Sequence, residues 1–158
     1  MRGDAMSAAD VMVGDLVREC YWRDGVNCAT TMLRALSRSQ GIELHPQVLA
    51  AATGMHGAGS YGAQCGLVEG GLMFLGVWGR TAGLGDAEIE EACNAFARGF
   101  EARFGSLSCR VLRPQGFAPG QPPHMCEGLT VEAVSWTVAW VGRLAAGRTD
   151  EGASREGA

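Results

Sequence analysis

Apolar residues recur along this chain at helical spacing, and strand-like alternation is nearly absent. Val13, Leu16, Val17, Cys20 and Tyr21 follow the i, i+3, i+4, i+7, i+8 pattern of one helix face, which predicts a first helix over Ala8–Arg23, broken by Gly25. Asn27 suits an N-cap, and a second helix is expected from there to Arg38, with Met32, Leu33 and Leu36 inward and Gly41 as its stop. Pro46 fits the first turn of a third helix that runs to Gly54. Four glycines then fall within Gly54–Gly62, a backbone-dominated loop. A fourth helix is predicted over Gln64–Val77, ended by Gly79. Asp86 is expected to cap a fifth, with acidic residues in its first turn, where the helix dipole favours them. Ile89, Cys93, Phe96, Phe100 and Phe104 form its apolar stripe, and Gly105 stops it. Pro114–Pro123 holds four of the five prolines and reads as a loop. Thr130 opens a last helix to Gly142.

The pattern therefore predicts an all-α, single-domain bundle of five to six helices over residues 8–142. Its expected core is Leu16, Val17, Leu33, Leu36, Leu72, Phe74, Phe96, Phe100, Phe104, Val134 and Val138. Residues 1–7 read as an N-terminal tail, and residues 143–158, small and charged, as a disordered one.

A chain of 158 residues buries roughly 70% of its unfolded surface, so it needs no disulfides to make up for a small core. A net charge of −4 argues against a nucleic-acid partner. The longest apolar stretches, Gly71–Gly79 and Val131–Gly142, fall short of the ~20 residues of a membrane helix. The start has no apolar signal core, so no membrane insertion and a cytoplasmic address are expected. All thirteen basic residues are arginine, without a functional account. The six cysteines change the picture most. In a reducing compartment such an excess points to metal binding or redox chemistry rather than permanent disulfides.

Cys20 and Cys93 lie mid-helix on apolar stripes and read as small buried hydrophobes. Cys28 follows the Asn27 cap, Cys65 opens the fourth helix, Cys109 follows Ser108, a candidate cap, and Cys126 lies just ahead of the last helix. All four are thus placed at or near helix starts, where backbone N–H groups stabilise anions and lower a thiol pKa from ~8.5 into a range of ~3.5–7.5. Their spacing is long and irregular and contains no CxxC, so neither a zinc ribbon nor a thioredoxin motif is signalled. Gly66 and Gly70 lie four apart on one helix face. Interior glycines cost ~1 kcal/mol each, so another backbone or a cofactor is expected to pack closely there.

Three stretches carry a resemblance: Gly25-Val26-Asn27-Cys28-Ala29, the run Cys65-Gly66-Leu67-Val68-Glu69-Gly70-Gly71-Leu72-Met73-Phe74-Leu75-Gly76 after a Gly-rich loop, and Phe100-Glu101-Ala102-Arg103-Phe104-Gly105-Ser106-Leu107-Ser108-Cys109-Arg110. Over roughly Gly25–Val141 the chain resembles the C_GCAxxG_C_C family of redox-active proteins. The resemblance makes Cys126 the last of the family's four cysteines. Leu67 departs from it, because a small residue usually follows Cys-Gly, and a bulky one could crowd whatever packs on the Gly66/Gly70 face.

Three functions follow. In the first, Cys28, Cys65, Cys109 and Cys126 converge as ligands of an iron–sulfur cluster, [2Fe–2S] by preference, or of another metal, for electron transfer with a redox partner protein. Helix starts would offset the charge, Gly57, Gly59 and Gly62 would let loop N–H groups approach sulfur, and Gly66 and Gly70 would leave room. In the second, a low-pKa Cys28 or Cys65 attacks and another cysteine resolves, as in thiol–disulfide exchange. In the third, the domain is a non-catalytic helical interaction module. His56 and His124 are weaker candidates, as a fifth ligand or a proton carrier, and Glu69, i+4 from Cys65, as a proton holder. Trp136 and Trp140 read as core packing or a dimer face rather than cofactor stacking. No strand precedes the Gly-rich loop and no lysine exists, which excludes a P-loop.

Overall fold

The computed structural model describes residues 8–113 and 115–155, and it is helical throughout. The expected tail at 1–7 and the last three residues lie outside the described residues. Among the described residues there are seven α-helices: α1 (Ala8–Arg18), α2 (Cys28–Gln40), α3 (Pro46–Ala51), α4 (Gly66–Thr81), α5 (Asp86–Phe104), α6 (Cys109–Leu112) and α7 (Glu127–Arg155). One more appears than the five to six expected, because the single turn α6 stands as an element of its own. No sheet forms among the described residues. One isolated antiparallel bridge joins Gln64 and Ser108.

Local chemistry accounts for the ends. The Asn27 side-chain oxygen accepts from the Thr30 N–H at 2.9 Å, and Gly41, at φ 63°, ends α2. The first helix does not remain α to Arg23. It passes into one π turn, Glu19–Arg23, which buries Tyr21 and leaves Trp22 exposed. π turns inside helices are frequent at functional sites. Gly85, not Asp86, is the cap of α5. Asp86 is its first residue and pairs with Arg80, while Glu88 accepts the Gly85 N–H at 3.1 Å.

α4 reaches Thr81 instead of Val77, since Trp78 is buried and Gly79 packs against Ile89. The segment from 143, read as disordered, continues α7 to Arg155. Leu144 and Ala145 pack against the core and Arg148 pairs with Glu88 at 3.6 Å, contacts that net hydrophobicity does not show.

The principal contacts run between α2 and α4, α1 and α7, α4 and α5, and α2 and α7. Val17, Leu33, Leu36, Phe74, Phe96, Phe100 and Val134 are fully buried, each worth about 1.5–3 kcal/mol of apolar burial. Leu72, Phe104 and Val138 are only partly buried against this core. Phe96 meets Trp136 and Trp140 at centroid distances of 5.9 and 5.5 Å, so the tryptophan pair packs on the α5 stripe.

Cys20 is buried and Cys93 half-buried. Cys20→Ala and Cys93→Ala are each expected to cost only about 1 kcal/mol, as small cavities do. Denaturant titration checks this, and a loss several times larger would give either residue another role.

Candidate functional site

Four separate starts bring the remaining cysteines to one end of the fold. Cys28 is the first residue of α2, Cys65 caps α4, Cys109 is the first residue of α6, and the Cys126 carbonyl accepts the Thr130 N–H at 2.8 Å in the first turn of α7. The bridge at Gln64 and Ser108 joins two of these segments. The Cys65 N–H donates to Leu107 O at 2.8 Å and the Cys109 N–H to Ala63 O at 2.7 Å. Close approach to a bare α-carbon seats two sulfurs. A Cβ added at Gly66 would lie 2.4 Å from Cys28 Sγ, and one at Gly57 3.0 Å from Cys109 Sγ. Tyr21 joins the cluster from the π turn. Its hydroxyl bonds Thr130 Oγ1 at 2.7 Å and its ring stacks on His124 at 4.5 Å.

A cavity of about 440 Å³ opens here, with Cys28, Cys109 and Cys126 in its wall beside Tyr21, His56, Arg113 and His124. Cys65 does not line it but lies within electrostatic reach of the other three. Cys20 and Cys93 do not line it either.

All four thiols are pushed up, not down as their helix starts suggest. Burial is the largest cause for each. Cys28 is raised further by the charges of Cys65, Cys109 and Cys126. Cys65 is pushed up to about 11 although the N–H groups of Leu67 and Val68 oppose it. The helix-start effect is therefore present but smaller than desolvation. Arg113, beside Cys109 and Cys126, acts as a side-chain charge in the opposite sense.

The sign of this shift fixes a pH dependence for the reduced, metal-free chain. A folded thiol pKa above the unfolded value contributes stability that is full below the unfolded pKa and is lost as pH rises through the folded one. For Cys65 the window runs from 9.0 to about 11, and the loss is about 2–3 kcal/mol. No lysine titrates there, since the chain has none. Thermal unfolding between pH 8 and 11 checks the fall, and a flat profile would contradict it.

The loop Gly57–Ser60 forms a turn in which Gly57, Ala58, Gly59 and Ser60 all have positive φ. His56 precedes it. The Asn27 amide nitrogen donates to Ala52 O and Thr53 O at 3.0 and 2.8 Å and lies 3.2 Å from His56 Nδ1. Its oxygen is taken by the Thr30 N–H and its two N–H groups by the Ala52 and Thr53 carbonyls, so the amide is fully paired where it meets the His56 ring. His124 has a left-handed backbone, φ 59°, of the kind that costs about 1–3 kcal/mol and clusters at functional sites. Glu69, raised by burial, does not line the cavity.

The room expected at Gly66 and Gly70 is filled by protein. Gly66 takes the Cys28 sulfur and the Met55 carbonyl, and a Cβ at Gly70 would lie 2.5 Å from Ala29 O of α2. Leu67 is buried in the core and does not intrude. Gly59 faces open space and Gly62 packs against Arg110, so of the three loop glycines only Gly57 approaches a cysteine sulfur. Arg113 escapes a sequence reading, although its place four residues after Cys109 is a visible signal.

Residues 26–140 match the model of the family described as "Putative redox-active protein (C_GCAxxG_C_C)". The chain belongs to this family. The match spans Cys28, Cys65, Cys109 and Cys126 as well as Cys93, but not Cys20. No curated protein and no solved structure matches the chain. No helix among the described residues of this C_GCAxxG_C_C protein is long and apolar enough to cross a membrane.

Proposed function

We propose that Cys28, Cys65, Cys109 and Cys126 hold an iron–sulfur cluster and that the protein exchanges electrons with a redox partner. The observation that carries this reading is the gathering of four soft sulfur donors, three in the wall of one cavity and Cys65 within electrostatic reach of them, each disfavoured as a thiolate by burial and three by one another's charge as well. A positively charged metal core reverses that penalty, because a coordinating thiol is deprotonated outright. Among the described residues, no group of three or more Cys, His, Asp or Glu could hold a single metal ion. Iron is favoured over a Cys₄ zinc ion because the sequence has no short CxₙC knuckle. A cluster divides its ligands among several metal atoms and suits more widely spaced sulfurs.

Such a cluster supplies one-electron transfer when bound. The chain supplies the environment. The N–H groups of Leu67 and Val68 at Cys65, and of Ala29 at Cys28, stabilise negative sulfur and tune its potential. His56 lies in the cavity wall with its ring against the Asn27 amide.

Thiol–disulfide exchange is the second reading. It is favoured at Cys109 and Cys126, where Arg113 supports a thiolate, and disfavoured at Cys28 and Cys65, where nothing cationic opposes burial.

Anaerobic purification with iron and acid-labile sulfide analysis tests the proposal. Visible absorption bleached by dithionite, with iron and sulfide in equal amounts, is expected. A colourless protein in which Cys28, Cys65, Cys109 and Cys126 all remain titratable after reconstitution with iron and sulfide would overturn it.

A further inference from the structure

We infer that the cavity binds a small molecule through a carboxylate or oxoacid group, with Arg113 as its anion-binding side chain next to Cys109 and Cys126. The inference rests on the four-cysteine site as the reactive one, and it adds the class of molecule that site receives.

Arg113 lines the cavity, and no Asp or Glu does so among the described residues. Its Nε is buried without a hydrogen-bond partner. A buried donor left unpaired is costly, so it marks a place where a partner belongs. Arg18, Arg23, Arg34, Arg80 and Arg148 all meet carboxylates, while among the described residues no ion pair forms at Arg113.

The guanidinium is also held in place. Its carbon lies 4.5 Å from the centre of the Phe117 ring, and Phe117 packs on the core. The Arg113 main chain is tied back to Cys109 O at 2.8 Å at the end of α6. A fixed, planar fork facing a cavity without carboxylates is the arrangement that receives a carboxylate or oxoacid in two parallel bonds.

Alkylation of the reduced, metal-free full chain tests this with two reagents of the same size. Iodoacetate is an anion and iodoacetamide is neutral. Both react with thiolate, so their rate ratio at Cys109 and Cys126, followed by mass spectrometry, cancels any change in thiol pKa. At low ionic strength the ratio is expected to exceed that of 2-mercaptoethanol by about tenfold, as a charge several ångströms away produces. It should fall to the 2-mercaptoethanol level in Arg113→Gln, remain intermediate in Arg113→Lys, and shrink with added salt in the wild type. Should Arg113→Gln fail to fold, the lysine variant and the salt series decide. An equal ratio in wild type and Arg113→Gln, or a wild-type ratio no higher than that of 2-mercaptoethanol, would overturn the inference. Loss of iron from Arg113→Gln with an unchanged alkylation ratio would also overturn it, by making Arg113 a counter-ion of the cysteines. Failure of the wild type to take up iron would count against the cluster and leave the ratio standing, so the two failures are distinguishable.

Discussion

Gly70→Ala is expected to destabilise the protein by about 2–4 kcal/mol, beyond most single overpacking changes. The methyl group would lie 2.5 Å from Ala29 O and 2.9 Å from Met32 Cβ. The first of these is backbone, so relief requires α2 and α4 to move apart along their main contact. Gly76→Ala in the same helix meets nothing within 4 Å, and it should stabilise by about 0.5–1 kcal/mol through helix propensity alone. Opposite signs within one helix separate packing from propensity. Gly66→Ala carries a further consequence, because its Cβ would fall 2.4 Å from Cys28 Sγ and 2.7 Å from Met55 O. It should displace Cys28 and lower iron retention even where the fold survives. Urea denaturation of the three variants checks the signs, and a neutral Gly70→Ala would mean that the two helices are not in close contact.

These glycines show what the sequence conveys and what it withholds. Two glycines on one helix face imply a close neighbour, but not which one. The neighbour is α2 together with Cys28, because only the packed fold decides what lies over an apolar face. The starts of α2 and α6 were legible from Asn27 and Ser108, since capping is local, and that of α4, expected at Gln64, falls two residues later at Gly66. Ser108 caps without a side-chain bond, and its own N–H turns back to Ser106 Oγ instead. The π turn at Glu19–Arg23 was not legible, because an α pattern and a π turn place the same apolar residues inward over five positions.

The direction of the thiol shifts has the same origin. Helix starts are written in the sequence and lower a pKa, whereas burial is a property of the whole fold and raises it more. Asn27 illustrates the difference within one side chain. Its cap on Thr30 is local and was expected. Its bonds to Ala52 and Thr53 cross more than twenty residues and bring its amide to within 3.2 Å of the His56 ring, a placement that the sequence left open.

Single replacement of Cys28, Cys65, Cys109 or Cys126 by serine is expected to abolish retention of iron and sulfide in each case, while Cys20→Ala and Cys93→Ala retain both. A hydroxyl is a poor substitute for a soft thiolate at an iron–sulfur centre. Cys65→Ser is the sharpest of the four. Cys65 is buried, does not line the cavity, and receives the N–H groups of Leu67 and Val68. It is the least accessible of the four to an external disulfide, so exchange chemistry has little use for it, whereas a cluster needs it as a ligand. Loss of iron from Cys65→Ser therefore supports the cluster. If no variant changes iron or sulfide, and only Cys109→Ser and Cys126→Ser lose disulfide reductase activity, the two cysteines beside Arg113 form a dithiol pair and the cluster proposal falls. Iron, sulfide and thiol content measured on all six variants decide between these outcomes, because ligands of one cluster fail together and a dithiol fails by pairs.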